Sequence, residues 1–398
     1  MKDNVRVVFF FVLFKRILLD YVTIYTGGDC VKGLYIHIPF CQSICTYCDF
    51  AKEIATPKKQ ANYIDALIQE FHGYKEEHKA LTTIYIGGGT PSALKNDDLD
   101  RLLATIYEHI SMQTIEEYTV ECNPNDVTVE KAKLLKKYGV NRISLGVQTF
   151  NDHHLKFINR DHREADIYQA LTILREVGFD NISLDMMFGL VGQTLDELND
   201  DLQKVIRLNP NHISYYSLIL EEATPLFYLV NKGQVTMIDD DLEGSMYETV
   251  MDTLIEAKYA QYEISNFAKK DYASKHNTIY WKNDDYVGIG ASSHGKLNNK
   301  RYANIRSVKR YIESVASRGM PENTSYPYEP LRDHLLMGLR LLEGVSLDAI
   351  KERFDVDLLE HYPKLNPMLE QGFLTIEQNH LKFTRRGLLL GNDVFVLF

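Results

Sequence analysis

Cysteine is scarce in this chain of 398 residues: there are five, an odd number, and three of them fall between positions 41 and 48. So few, so clustered, exclude a secreted disulfide framework and point to a reducing, cytoplasmic compartment. A positive charge balance is also missing. Lys and Arg total 44 against 55 Asp and Glu, a formal net charge of -11, which argues against nucleic acid as the main partner because phosphate binding needs a net basic face. Nor is there an apolar run of membrane-spanning length. The stretch from Val7 to Phe14 is broken by Lys15 and Arg16; it is too short to span a bilayer as a helix and lacks a small-residue cleavage site. Three expectations stay open for residues 1–32: an extra surface strand or helix, a peripheral contact with the inner membrane face, or translation that begins later, near Val31. Internal repeats and low-complexity linkers are absent as well. A hydrophobic share of 45% with 25% charged residues is that of a chain with a substantial packed core.

What is present after Gly33 is an alternation of β-branched runs and helical stretches. "LYIHI" (34–38), "TIYIG" (83–87), "EYTVEC" (117–122), "RISLGV" (142–147), "NISLDMMF" (181–188) and "HISYYSLIL" (212–220) read as strands. Helical patterns fall at about 58–78, 97–110, 128–138, 163–177 and 194–207. Strands separated by crossover helices predict a parallel α/β fold whose site gathers at the C-terminal strand ends. The suggestive residues fall there: the cysteine loop after the first strand, "GGGTP" (87–91) after the second, Glu121 at the end of the third, Gln148 at the end of the fourth and Asp185 late in the fifth. Beyond residue 225 the alternation stops. A helix near 239–258 precedes a turn-rich aromatic stretch, and 331–398 reads as a small helical domain with a terminal strand pair.

The loop "CQSICTYC" sets Cys41, Cys45 and Cys48 at the spacing C-x3-C-x2-C. Structural zinc asks for four ligands, usually as two pairs; Cys30 and Cys122 stand at no standard offset to complete such a set. Three thiolates on a short loop can instead hold three irons of a [4Fe–4S] cluster and leave the fourth open. Phe40, Ile44, Tyr47 and Phe50 would keep water away. Glu121 could pair with a ligand ammonium, Arg160 could fork onto a carboxylate and Asp185 could accept from hydroxyls. Gly88 and Gly89 read as either a close backbone approach to a ligand or a tight turn, and Cys122 as a small buried hydrophobe.

With that loop behind the first βα strand, the sequence resembles the radical S-adenosylmethionine (radical SAM) superfamily. "GLYIHIPFC", "IYIGGGTPS", "NRISLGVQTF", "LDMMFGLVGQT" and "HNTIYW" narrow the resemblance to the oxygen-independent coproporphyrinogen III oxidase family and its heme-chaperone relatives, over about residues 33–390. The resemblance implies a partial (β/α)6 barrel over 33–225, an extension over 226–330 and the small C-terminal domain. It implies a [4Fe–4S] cluster on Cys41, Cys45 and Cys48, and SAM held by Tyr35, Tyr47, Gly88, Gly89, Thr90, Glu121, Gln148, Arg160 and Asp185. The oxidase branch carries a further cysteine two residues after the third. Here that position is Phe50, and only the short apolar extension precedes the core, so both departures point to the heme-chaperone branch. That branch implies heme as cargo, heme-dependent membrane or respiratory proteins as recipients, an electron donor for the cluster and a possible homodimer. Within "KHNTIYW" (275–281), His276 is the candidate iron ligand, with Tyr280 and Trp281 against the macrocycle. His294, in the glycine-rich "GIGASSHG" (288–295), is the second choice, and His37, beside the cysteine loop, reads as structural or as a support for the groups around the cluster.

Overall fold

A computed structural model describes residues 31–398. The Val7–Phe14 run and Cys30 lie outside the described residues.

Strand β1 (Gly33–Ile38) shows how the sheet is specified. Leu34, Ile36 and Ile38 are fully buried on one side, while Tyr35 and His37 point to the other, as the two-residue period of a strand requires. The same parity runs through β2 (Thr83–Gly88), β3 (Glu117–Cys122), β4 (Arg142–Gln148), β5 (Asn181–Phe188) and β6 (His212–Ser217). Apolar members face the crossover helices, and polar or aromatic members such as Tyr85, Glu121, Ser144 and Asp185 face the concave side. The six strands are parallel neighbours in sequence order. Each crossover therefore wraps the same way, as in a barrel. The helices are capped by local sequence. Thr56 caps Pro57–Gly73 through the amide of Lys59, and Thr194 with Glu197 forms a reciprocal capping box on Leu195–Leu208, satisfying amides that otherwise lack acceptors.

The barrel does not close. Residues after 225, read from sequence as a helix and a turn-rich stretch, also supply six short strands that lengthen the sheet at both edges: β7 (Ala260–Glu263), β8 (Asn266–Ala268), β9 (Tyr286–Ile289), β10 (His294–Leu297), β11 (Lys300–Asn304) and β12 (Asn323–Tyr326). The order is β12-β11-β10-β9-β1-β2-β3-β4-β5-β6-β8-β7, with β9 parallel to β1 and the remaining additions antiparallel. Strands of three to five residues carry too little alternation to be read from sequence. At the C-terminus, short helices surround β13 (Val345–Ser346), β14 (Leu374–Glu377) and β15 (His380–Phe383); β14 and β15 are the anticipated terminal pair. The α/β architecture, a parallel half-barrel with a small C-terminal helical unit, is thus as expected. Among the described residues, no helix is long and apolar enough to cross a membrane.

Candidate functional site

The cysteine loop is a pinned excursion from β1. At its base Phe40 bridges to Glu53, the Cys41 amide donates to the Glu53 carbonyl at 3.2 Å and the Glu53 amide to Pro39 at 2.8 Å. Its far side rests on the segment after β4: the Thr46 amide donates to Ile158 at 3.1 Å and the Asn159 side-chain amide to Ile44 at 2.8 Å. Cys41, Cys45 and Cys48 are all unpaired and partly exposed. Two sulfurs face donors: the Thr90 hydroxyl lies 3.6 Å from Cys41 Sγ and Arg160 Nη1 lies 3.9 Å from Cys45 Sγ. Burial pushes the Cys41 thiol up to about 11 and raises that of Cys48, so thiolates here call for positive charge, which iron supplies. Sulfurs sharing one zinc ion, each about 2.3 Å from it, sit within about 4 Å of one another. Among the described residues no three His, Cys, Asp or Glu are gathered tightly enough for a single ion. Three thiols spread around a loop, two of them facing hydrogen-bond donors, suit the irons of a cluster.

Around the loop the strand ends assemble a polar rim. Glu121 accepts from Tyr85 Oη at 2.8 Å and from the Gly88 amide at 3.1 Å. Burial first, and then the Asp185 charge, raise its carboxyl to about 7 against the lowering effect of those bonds. Asp185 accepts from Ser144 at 2.8 and 3.0 Å and from Ser183 at 3.3 Å; burial raises it too. Arg160 donates through Nη2 to Asn123 Oδ1 at 2.7 Å and to the Gly146 carbonyl at 2.6 Å, while its buried Nε finds no acceptor in the protein. That orphaned N–H beside the Cys45 sulfur fits an anionic ligand group at this point. Gln148 ends β4 at φ 68°, where the register with β5 shifts, a conformation side chains seldom adopt away from constrained sites. Tyr35 Oη and His37 Nδ1 are 3.0 Å apart. Tyr47 packs onto an apolar group of Ile158, Met187, Leu190, Leu218 and Leu226.

The glycines have a protein-internal reason. A Cβ at Gly88, whose φ is 116°, would lie 2.5 Å from the His37 ring, and one at Gly89 would lie 2.9 Å from the Phe40 backbone. They let the end of β2 approach the base of the cysteine loop, where the Thr90 amide donates to Phe40 at 2.7 Å. Tyr85, Asn123 and Ser144 belong to the rim or its supports and were missed as partners in the sequence, whereas His37, named there, packs against the end of β2. Strand parity was the available signal, since Tyr85 sits two residues before Gly87 and Ser144 two before Gly146.

His276 is not brought to this rim. Ser274 caps the helix Lys275–Trp281, and Glu117, at the start of β3, accepts from the amides of Lys275 at 2.9 Å and His276 at 3.1 Å. The helix therefore plugs the N-terminal mouth of the barrel. The fully buried imidazole has Nδ1 2.8 Å from Thr83 Oγ1 and Nε2 2.7 Å from Tyr280 Oη, and it stacks on Tyr85 with centroids 5.2 Å apart. Both ring nitrogens are engaged, and burial, then Arg142, lower its pKa to about 3. Trp281 lies under the Arg340 guanidinium at 4.5 Å. In this structure "HNTIYW" packs the C-terminal unit against the barrel floor, with both ring nitrogens of its histidine held by protein partners.

An α/β half-barrel with three thiols and a polar rim at the C-terminal strand ends is the arrangement of a radical SAM protein, and the Radical SAM superfamily model matches residues 35–205. The HemN C-terminal domain matches residues 327–390. Over 375 residues, 92% of this chain and 99% of the relative, the sequence is 40% identical to heme chaperone HemW of Bacillus subtilis. It is 39% identical over 369 residues, 92% and 97% of the two chains, to heme chaperone HemW of Lactococcus lactis. The chain belongs to this HemW family. The solved structure of coproporphyrinogen III oxidase (HemN) from Escherichia coli, a radical SAM enzyme, superposes with a TM-score of 0.80 over 93% of this chain and 90% of that one, at 21% identity; this likeness concerns the fold. Membership of the radical SAM superfamily implies a [4Fe–4S] cluster and SAM as cofactors.

Proposed function

We propose that this chain is a heme chaperone: it binds heme and passes it to heme-dependent respiratory proteins. The observation that carries the reading is the 40% identity to a relative of that name, spread over nearly the whole length of both chains. Phe50 supports it. The residue stands where the oxidase pattern has a fourth cysteine, and its ring is 49% exposed beside the loop. In this reading Cys41, Cys45 and Cys48 hold the cluster, and a bound cluster supplies a metal centre with one open iron and a one-electron couple. Arg160, Glu121, Asp185 and Gln148 orient SAM, Tyr35 lines its methionyl end, Tyr47 screens its adenine side from water, and Gly88, Gly89 and Thr90 shape the strand end beside it. A cytoplasmic setting follows from thiols that must stay reduced, with recipients and an electron donor met at the membrane's inner face.

The test is a paired assay on one anaerobically reconstituted sample. Hemin should bind in about one equivalent with a shifted Soret band, while incubation with coproporphyrinogen III, SAM and reductant should yield no turnover. Protoporphyrinogen formed over repeated turnovers would instead make the chain an oxygen-independent coproporphyrinogen oxidase.

A further inference from the structure

The end of β4 is bent in a way that a glutamine does not favour. The Thr149 amide donates to the Val147 carbonyl at 2.9 Å, closing a three-residue turn around Gln148, whose φ is 68°. A γ-turn with a positive φ at its centre is the rare and strained of the two γ forms. Val147 also has no residue opposite it on β5: Gly146 pairs with Asp185 and Gln148 with Met186, a bulge that re-aims the side chain after it. The outcome is a convergence of polar atoms at the strand end. A Cβ at Gly146 would lie 3.0 Å from Arg160 Nη2, 3.3 Å from Gln148 Nε2 and 3.6 Å from Asn123 Oδ1.

Strain of this kind persists only where the surroundings over-determine it, and three side chains do so here. Arg160 Nη2 donates to the Gly146 carbonyl at 2.6 Å. His162 Nε2 donates to the Val147 carbonyl at 3.1 Å. Asp201, from the helix Leu195–Leu208, accepts from Thr149 Oγ1 at 2.7 Å and from the Phe150 amide at 2.9 Å. The two residues before Gln148 and the two after it are therefore each gripped by a side chain from elsewhere. In the stretch "RDH" (160–162), alternate residues hold successive carbonyls of β4.

We propose that His162 is a positioning residue for SAM: by holding the Val147 carbonyl it keeps the turn that aims the Gln148 amide at the ligand. This rests on the reading above in which Gln148 and Arg160 orient SAM. His162 is fully buried, so its ring acts through the protein and not by direct contact with solvent. Burial, then the Arg160 charge, lower its pKa to about 3, so the imidazole is neutral, and the single N–H that a carbonyl requires is on Nε2. Nδ1 has no partner in the protein, which leaves the bond to Val147 as the polar contact through which the ring works. Removing it frees the carbonyl at the centre of the strained turn, and Gln148 can then relax to an ordinary negative φ that carries its amide away from Arg160 and Asn123.

The experiment is a double-mutant cycle on the anaerobically reconstituted full chain, read as SAM affinity by equilibrium dialysis with labelled SAM and accompanied by iron analysis. His162→Leu keeps the volume and removes the donor; it should weaken SAM about tenfold, the worth of one buried hydrogen bond, with iron retained. His162→Gln, whose Nε2 can replace the ring N–H, should stay within about twofold of the native chain. In a Gln148→Ala background, adding His162→Leu should change SAM affinity by less than about twofold, because the side chain it positions is already gone. A purely structural role would not show this dependence on Gln148. Equal weakening by His162→Leu in both backgrounds, or native affinity in the single variant, overturns the proposal. If His162→Leu does not retain iron, His162→Ala, which removes the donor without a bulky replacement, goes through the same cycle with the same outcomes. A Gln148→Ala chain that binds SAM as tightly as the native one overturns instead the underlying reading of Gln148.

Discussion

Glu70 offers a sharp test of how the extension is held to the core. Its carboxylate is fully buried and accepts from the Gly290 amide and Asn304 Nδ2, each at 2.7 Å, and from Tyr311 Oη. Burial, partly offset by those bonds, raises its pKa from 4.5 to about 7. An acid whose folded pKa lies above its unfolded one binds more protons when folded, so its contribution to stability is complete below the unfolded pKa and falls away as pH rises through the folded one. With about 1.4 kcal/mol per pKa unit, a shift from 4.5 to about 7 amounts to roughly 3 kcal/mol, of which about 2–3 is lost between about pH 5 and pH 8. Glu70→Gln removes the titration and keeps the shape. Its amide can donate to Asn304 Oδ1, which is buried without a partner, once that side chain flips. Glu121 and Glu243, both also raised to about 7 by burial, titrate in both proteins and cancel in the comparison. Urea unfolding of the two proteins across this pH range should therefore show the native chain losing stability relative to Glu70→Gln as pH rises, by about 2 kcal/mol or more. A difference that stays flat with pH would refute the account of Glu70 as a carboxyl kept protonated by burial.

Three further outcomes follow from the site. Cys41→Ser, Cys45→Ser and Cys48→Ser should each reduce anaerobically reconstituted iron from about four per chain to near zero, whereas Cys122→Ser should not, because that thiol is 3% exposed and pushed up to about 12 by burial; iron and sulfide analysis decides. Gly88→Ala drives a Cβ into the His37 ring at a φ of 116° and should cost about 2–5 kcal/mol, read as a lower thermal midpoint together with lost SAM binding; an unchanged midpoint would sink the close-approach argument. Arg160→Lys surrenders the forked donation to Asn123 and Gly146 and should weaken SAM about tenfold, the worth of one charge-assisted bond, with iron content retained; equilibrium dialysis with labelled SAM measures it.

What could be read from the sequence was what is encoded locally. The six parallel strands announce themselves through four or more alternating or β-branched residues, and their helices through capping residues such as Thr56 and Thr194. The cysteine spacing is local too, and so the loop of three thiols behind β1 was legible as a loop. Strands β7–β12 were not. They are three to five residues long and exist because a neighbouring strand offers its edge, a fact recorded far away in the chain. The glycines at 88 and 89 were legible as required, but their reason, the His37 ring and the Phe40 backbone, comes from the pairing of β1 with β2 across fifty residues.

The "HNTIYW" motif carries the same lesson toward the site. In sequence His276 has a tyrosine and a tryptophan close behind it, and its neighbours in the fold come from elsewhere in the chain. The bond from His276 to Thr83 joins residues 193 apart, and it places that imidazole at the start of β2, behind Tyr85, where Glu117 has already consumed the helix's free amides. A ligand must be both chemically able and topologically present. In a parallel barrel the second condition is set by strand direction, so a motif's position relative to strand ends outweighs its composition in deciding which residue meets the cofactor.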